Sequence, residues 1–173
     1  MMKRLITGVV LSMSIVSGFA AERAPENGFG IVPMPYEVKA NAGSPFVITK
    51  ETVIIAQAAE TKNCAAYLQQ RLRTSSGLVL RRRGSTKGTA ILLKVAGDAV
   101  AFSENDAYRL ESSADAITIS AKTEQGLFYG VQSLLQLLPP AVYGDTVQAG
   151  LELKVPALSI NDKPSMDRMR GLH

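Results

Sequence analysis

The feature that most constrains the fold is one amphipathic segment, Lys122 to Pro140, which directly follows a strand-like run, AITISA. The apolar residues of the segment recur at helical spacing and therefore share one face; they are Leu127, Val131, Leu134, Leu135 and Leu138. Thr123 is placed to cap the helix, and Pro139 and Pro140 end it because proline cannot continue a helix interior. The pattern predicts a helix that packs on a sheet.

Two glycines inside this helix, Gly126 and Gly130, add a second constraint. A glycine in a helix interior costs about 1 kcal/mol relative to alanine, so neither residue is explained by helix propensity. Because they are four residues apart, both lie on one side of the helix. We therefore expect the helix backbone to lie close against a flat surface at these two positions.

The remaining periodicity predicts a second helix and several short strands. The second helix covers Glu60 to Ser76, and Gly77 is placed to close it. The predicted strands include two hairpins, one between Tyr36–Lys39 and Pro45–Ile48 and one between Tyr108–Ser112 and Ala116–Ala121. The fold class that follows is α+β: a largely antiparallel sheet with two helices packed on one face.

The first 20 residues are typical of a secretory signal peptide. Lys3 and Arg4 form a basic start, an apolar stretch follows, and Gly18-Phe19-Ala20 supplies small residues before a cut. The apolar stretch is shorter than the roughly 20 residues of a membrane span. We therefore expect an exported protein, periplasmic or extracellular, with no membrane span in the mature chain. Residues 21–30 form a polar lead-in.

Charge and motif content exclude several classes of function. Without Lys3 and Arg4 the formal charge falls from +4 to +2, and the arginine run 81–83 has no interleaved aromatics, so we expect no nucleic-acid partner. The single histidine is His173, and no metal-binding, nucleotide-binding or nucleophile motif is present, so we expect no metal and no cofactor. Cys64 is the only cysteine and is expected to be buried on its helix.

Three stretches resemble one known family. They are IVPMPY with Val38, the segment AKTEQGLFYGVQSLLQLL at 121–138, and the end of the chain, where VPA, IND, Pro164 and RGLH follow one another. Together they are similar to the N-terminal accessory domain of family-20 glycoside hydrolases, the β-N-acetylhexosaminidases. The resemblance extends along essentially the whole chain after the lead-in, and the segment 121–138 is its most specific part.

The resemblance implies a division of the chain and a function for its parent. Residues 31–156 would be the accessory domain, and 157–173 a linker with the first residues of a (β/α)8 catalytic barrel. The parent would remove terminal β-linked N-acetylhexosamine from glycans by substrate-assisted catalysis, in which the acetamido oxygen is the nucleophile. Its partner would be the barrel of the same chain, and the Asp-Glu pair of the family would lie beyond His173, which leaves no catalytic residue here.

One substrate-binding residue is carried over by the resemblance. The arginine of the junction motif binds hydroxyls of the terminal sugar in this family, and its counterpart is Arg170. Met169 departs from the family pattern, in which an aromatic residue often precedes that arginine. A different class also remains open, a free-standing carbohydrate- or protein-binding module of the same fold. The aromatic content of 6%, without tryptophan, argues against a surface that stacks on sugars.

Overall fold

Two helices lie on one face of a seven-stranded sheet in the described part of the chain. The structure, a computed structural model, describes residues 28–56, 58–83, 88–96, 100 and 102–163. Its helices are α1 (Lys62–Ser76) and α2 (Glu124–Gln136). Its strands are β1 (Glu37–Ala40), β2 (Phe46–Val47), β3 (Val53–Ala56), β4 (Arg81–Arg83), β5 (Ala90–Val95), β6 (Tyr108–Ser112), β7 (Ala116–Ala121), β8 (Lys154–Val155) and β9 (Leu158–Asp162).

The sheet is mixed, with the order β1-β9-β6-β7-β5-β3-β4. Pairing is antiparallel from β1 through β9 and β6 to β7, and parallel from β7 through β5 and β3 to β4. The predicted α+β class with two helices is confirmed. The parallel half arises because α1 connects β3 to β4 as a crossover, and a crossover returns the chain in the same direction. The pattern of the sequence does not reveal this connection.

Of the two predicted hairpins, the one formed by β6 and β7 is confirmed, with Leu110 opposite Ile119. The other is wrong. β1 pairs with β9, and β2 pairs with β8 in a separate two-stranded sheet. Strands β1 and β2 are close in sequence, as the strands of a hairpin are, but their partners come from the far end of the chain.

Helix α2 begins where its sequence predicts and ends at Gln136, two residues before the predicted end at Leu138. The Thr123 hydroxyl accepts a hydrogen bond from the Gly126 N–H at 3.2 Å, which satisfies one free donor of the first turn. Glu124 lies in that first turn, where the helix dipole favours an acid. Helix α1 follows a 3-10 turn at Ala59–Thr61, and Gly77, at φ 75°, closes it with its N–H bonded to the Arg73 carbonyl at 2.9 Å.

The main core lies between the helices and the sheet. Leu68 and Leu72 of α1 and Leu127 and Leu134 of α2 are fully buried there, against residues such as Ile119. The opposite face of the sheet carries a small apolar cluster at Val53, Ile55, Ala90 and Leu92. Around β1, β6 and β9 that face is charged instead, with ion pairs of Lys39 with Glu37 and Arg109 with Glu111, each at 2.7 Å.

The end of the domain differs from the predicted division of the chain. Strand β9 pairs on both sides, with β1 and with β6, so residues 158–162 belong to the sheet. These residues lie within the segment 157–173 that the resemblance assigns to the linker and the start of the barrel. The predicted signal peptide, residues 21–27 of the lead-in and residues 164–173 lie outside the described residues.

Candidate interaction surface

An open groove of about 570 Å³ lies between α1 and α2 on the side that faces away from the sheet. Tyr67 of α1 and Phe128 of α2 meet across it, with ring centroids 5.3 Å apart. Asn63 and Glu124 close one end, where the Asn63 amide donates to the Glu124 carboxylate at 2.7 Å. The groove therefore combines an apolar floor with a polar end, which suits the docking of another molecule or domain.

The exposed aromatic residues continue beyond the groove. Tyr129 lies 6.4 Å from Phe128, and the Arg71 guanidinium lies 5.7 Å from the Tyr143 ring centre. Phe128, Tyr129 and Tyr143 are 37%, 41% and 43% exposed. We call Tyr67, Arg71, Phe128, Tyr129 and Tyr143 the aromatic surface. Tyrosine, phenylalanine and arginine are the residue types enriched where proteins bind one another, so this composition indicates an interface.

Arg71 is held firmly within this surface. Its guanidinium donates to the Val142 carbonyl at 3.3 Å and lies 3.7 Å from the Asp145 carboxylate. Burial raises the pKa of the neighbouring Tyr143 hydroxyl, and Arg71 lowers it by a smaller amount. The hydroxyl therefore stays protonated at neutral pH and can both donate and accept hydrogen bonds.

Three of the described carboxyls lack the raised pKa that a catalytic acid needs. A general acid for glycoside cleavage needs a raised pKa so that it keeps its proton near neutral pH. Hydrogen bonds lower the pKa of the Glu37, Glu51 and Glu104 carboxyls, chiefly those from Lys39 to Glu37, from Thr49 to Glu51 and from the backbone to Glu104. These three acids are therefore ionised near neutral pH and have no proton to donate.

Cys64 lines the groove but is chemically quiet. It is 3% exposed, and burial, with the nearby Glu124 charge, raises the pKa of its thiol to about 11. The neutral thiol is a poor nucleophile. The predicted burial of Cys64 is confirmed.

Within the described ranges, no group of three or more His, Cys, Asp or Glu residues could hold a metal ion. In the same part of the chain, no helix has the length and apolar character needed to cross a membrane. Arg170, the substrate-binding residue that the resemblance implies, lies outside the described residues.

Comparison with known proteins identifies the family. The family model described as "Glycosyl hydrolase family 20, domain 2" matches residues 29–163, which include both helices and every strand of the sheet. The chain belongs to glycosyl hydrolase family 20. The resemblance carried by the helix at 121–138 is thereby confirmed, and the match ends at Lys163, beyond the whole of β9.

Named members of family 20 are similar to this chain in both sequence and structure. A β-hexosaminidase of Porphyromonas gingivalis is 31% identical over 171 residues, which cover 95% of this chain and 22% of that protein. The family 20 β-N-acetylhexosaminidase of Streptomyces coelicolor A3(2) superposes with a TM-score of 0.69 at 32% identity, over 79% of this chain and 27% of that one. The Streptomyces plicatus N-acetyl-β-hexosaminidase, solved with Thio-NAglucal, superposes with a TM-score of 0.66 at 32% identity, over 79% of this chain and 26% of that one.

The aromatic surface is not among the features predicted from the sequence. Its signal was present in α2, because Phe128 and Tyr129 fall outside the leucine stripe and so had to face away from the core. Tyr67 could be placed in the same way on α1. Tyr143 and the Arg71 contact depend on how the segment after α2 folds back onto α1, which periodicity does not encode.

Proposed function

We propose that this chain is the non-catalytic N-terminal domain of an exported β-N-acetylhexosaminidase that hydrolyses terminal β-linked N-acetylhexosamine residues. The observation that carries the proposal is coverage: the family match takes in nearly all of the described chain, yet the chain spans only 22–27% of the similar hexosaminidases. The remaining length of such an enzyme holds the catalytic machinery. Substrate-assisted cleavage would take place there, with Arg170 binding hydroxyls of the terminal sugar at the junction.

The partner in this proposal is the catalytic barrel of the same parent chain. Support comes from the aromatic surface, whose composition is that of an interface, and from the charged face of the sheet on the opposite side. A domain that exposes tyrosine and phenylalanine on one side and ion pairs on the other has one side suited to burial. The domain would stabilise the barrel by covering apolar area there.

An assay with an aryl N-acetyl-β-glucosaminide tests the assignment of activity. We expect no turnover by the purified 173-residue chain and turnover by its longer parent, because the Asp-Glu pair that the family resemblance implies would lie in the rest of the parent. Turnover by the chain alone would contradict the proposal if it survived repurification and disappeared when a carboxylate of this chain was replaced. Saturable glycan binding by the chain, without a parent enzyme, would favour the free-standing binding module.

A matched pair of variants tests the interface. Tyr129→Gln alters an exposed side chain of the aromatic surface, and Val79→Gln alters a 60% exposed side chain outside it. In the isolated chain both should leave the melting temperature nearly unchanged, because surface substitutions usually change stability by less than about 0.5 kcal/mol. In the parent only Tyr129→Gln should lower it. Equal effects of the two variants in the parent would contradict docking through this surface.

Export is tested by N-terminal sequencing of the protein recovered outside the cytoplasm. We propose that the basic start and the small residues Gly18-Phe19-Ala20 direct cleavage near Ala20. The expected new N-terminus is Ala21. An intact Met1 on protein embedded in the membrane would contradict export by a cleaved signal.

A further inference from the structure

The end of β9 is held by three consecutive side chains, which together bind two distant segments of the chain, 36–37 and 102–104. The Asn161 amide donates to the Glu37 carboxylate at 2.8 Å. The Asp162 carboxylate accepts the Tyr36 backbone N–H at 2.9 Å. Lys163 reaches the loop that contains Phe102 and Glu104. Each contact joins residues more than 50 positions apart, so the three together tie the end of the domain to both its beginning and its middle.

Lys163 makes the most specific of these contacts. Its ammonium nitrogen lies 4.9 Å from the Phe102 ring centre and 5.0 Å from that of Tyr36, and both distances are within the range of cation–π attraction. The two rings meet edge to face, 5.0 Å apart at 78°. Glu104 adds an ion pair at 3.5 Å. The lysine head is thus surrounded by two ring faces and a carboxylate, and its side chain is only 32% exposed.

The loop that provides two of the partners of Lys163 is itself anchored to the residues just before α2. In the loop that holds Phe102 and Glu104, the Ser103 carbonyl accepts from the Lys122 ammonium at 3.0 Å. The Asn105 carbonyl accepts from the Thr123 hydroxyl at 2.6 Å. A hydrogen bond from its own backbone, and then Lys163, lower the pKa of the Glu104 carboxyl, which is therefore charged at neutral pH. The loop is therefore a fixed support for the lysine.

We propose that Asn161, Asp162 and Lys163 form an exit clamp that fixes the position and direction in which the polypeptide leaves the sheet. A flexible tether would start from side chains that point into solvent. Here Asn161 and Asp162 bind the segment 36–37, and Lys163 binds both the Tyr36 ring and the loop that contains Phe102 and Glu104. The domain is therefore a rigid mount for the polypeptide that follows it. This inference concerns the chain's own exit and holds whether or not the proposed activity is correct.

Nuclear magnetic resonance on the 173-residue chain tests the geometry directly. Methylene protons held over aromatic faces resonate upfield, so the ε-CH2 protons of Lys163 should be upfield of those of Lys154, whose ammonium pairs with the Glu152 carboxylate. Tyr36→Leu and Phe102→Leu should each remove part of the shift. Normal lysine positions in the unaltered chain would overturn the proposal.

Hydrogen exchange tests whether the contacts hold the strand end. Lys163→Gln removes two cation–π contacts and an ion pair. It should accelerate exchange in the segment 158–163 by at least roughly two- to fivefold, the factor that the loss of one exposed cation–π contact gives as an opening equilibrium. Exchange in β5 and β7 should stay unchanged, which shows that the fold is intact. Lys163→Arg should keep the slow exchange of the unaltered chain because a guanidinium group also stacks on aromatic rings. Lys154→Gln should have no effect on exchange at β9. Equal exchange in Lys163→Gln and the unaltered chain would overturn the clamp.

Discussion

Replacing Gly130 by alanine tests whether α2 is positioned by the close approach of its backbone to the sheet. In an isolated helix this change stabilises by about 1 kcal/mol, because glycine is the poorer helix former. The structure predicts the opposite sign. A Cβ at Gly130 would lie 2.4 Å from Ile119 Cγ2 and 3.1 Å from Tyr108 Cδ2.

The magnitude follows from how little those neighbours can move. Carbon atoms in contact prefer separations of roughly 3.5–4.0 Å, so relief of the 2.4 Å contact requires a displacement of more than about 1 Å. Ile119 is fully buried and β-branched, so its χ1 has few alternatives. Overpacking of this kind costs about 1–3 kcal/mol. Because the required displacement is large and Ile119 has few alternatives, the cost belongs in the upper part of that range, about 2–3 kcal/mol. After the propensity gain of about 1 kcal/mol, we expect Gly130→Ala to lower the free energy of unfolding by about 1–2 kcal/mol and Gly130→Val by more.

A double-mutant cycle at Gly130 and Ile119, followed by urea denaturation, measures the coupling free energy of this contact. Ile119→Ala removes the Cγ2 atom, and in that background Gly130→Ala should stabilise, since the added methyl enters the space left behind. The coupling free energy between the two sites should be about 2 kcal/mol, within the range for residues in contact.

Gly126→Ala is the matched control, because its Cβ would lie 2.7 Å from the Ala107 backbone oxygen, which truncation of Ile119 does not remove. Ile119→Ala should therefore rescue Gly130→Ala and not Gly126→Ala. A single Gly130→Ala variant that is more stable than the unaltered chain would refute the close-approach argument. Equal rescue of both glycine variants would show that the sheet yields generally and that no specific contact is involved.

Two further predictions concern buried polar groups. Tyr108→Phe removes a buried hydrogen bond, 2.6 Å long, between the Tyr108 and Ser133 hydroxyls. Urea denaturation should show a free energy of unfolding lower by about 1–2 kcal/mol. The double variant with Ser133→Ala should lose less stability than the sum of the two single variants, and strict additivity would contradict the bond. Because burial raises the Cys64 pKa to about 11 from 9.0, the native thiol should be alkylated on the order of a hundredfold more slowly than the unfolded one near pH 8. The same raised pKa predicts stability that is fully present below pH 9.0 and declines as the pH rises toward 11; equal alkylation rates for native and unfolded chain would contradict both statements.

The parts of the fold that the sequence predicts are those in which the determining residues are near one another. Thr123 caps α2 from the adjacent position, and β6 and β7 are joined by a short turn, so periodicity and turn chemistry are sufficient for both. The pairing of β1 with β9 places Glu37 opposite Asn161, and neither strand contains a local signal that identifies its partner. Wrong partners for β1 and β2, and the missed parallel half of the sheet, have this common cause.

The same distinction applies to the candidate site. Phe128 and Tyr129 could be placed on the outer face of α2 from spacing alone, whereas their proximity to Tyr67 depends on how α1 and α2 pack side by side. Arg170 came only from the family resemblance, since a single arginine near the end of a chain has no periodic or motif signal of its own.

The loop from Phe102 to Ala107 connects the two regions on which the proposals rest. At one end Phe102 and Glu104 hold Lys163 at the exit of the domain. At the other end, Asn105 binds the residue that caps α2, and the Ala107 carbonyl lies where a side chain at Gly126 would have to be. The first turn of α2 therefore cannot shift along the sheet without displacing the loop that supports the exit clamp. Because Glu124 and Gln125 in that turn also line the groove, the groove and the exit are parts of one rigid unit, and a domain docked in the groove would be aligned with the polypeptide that leaves at Lys163.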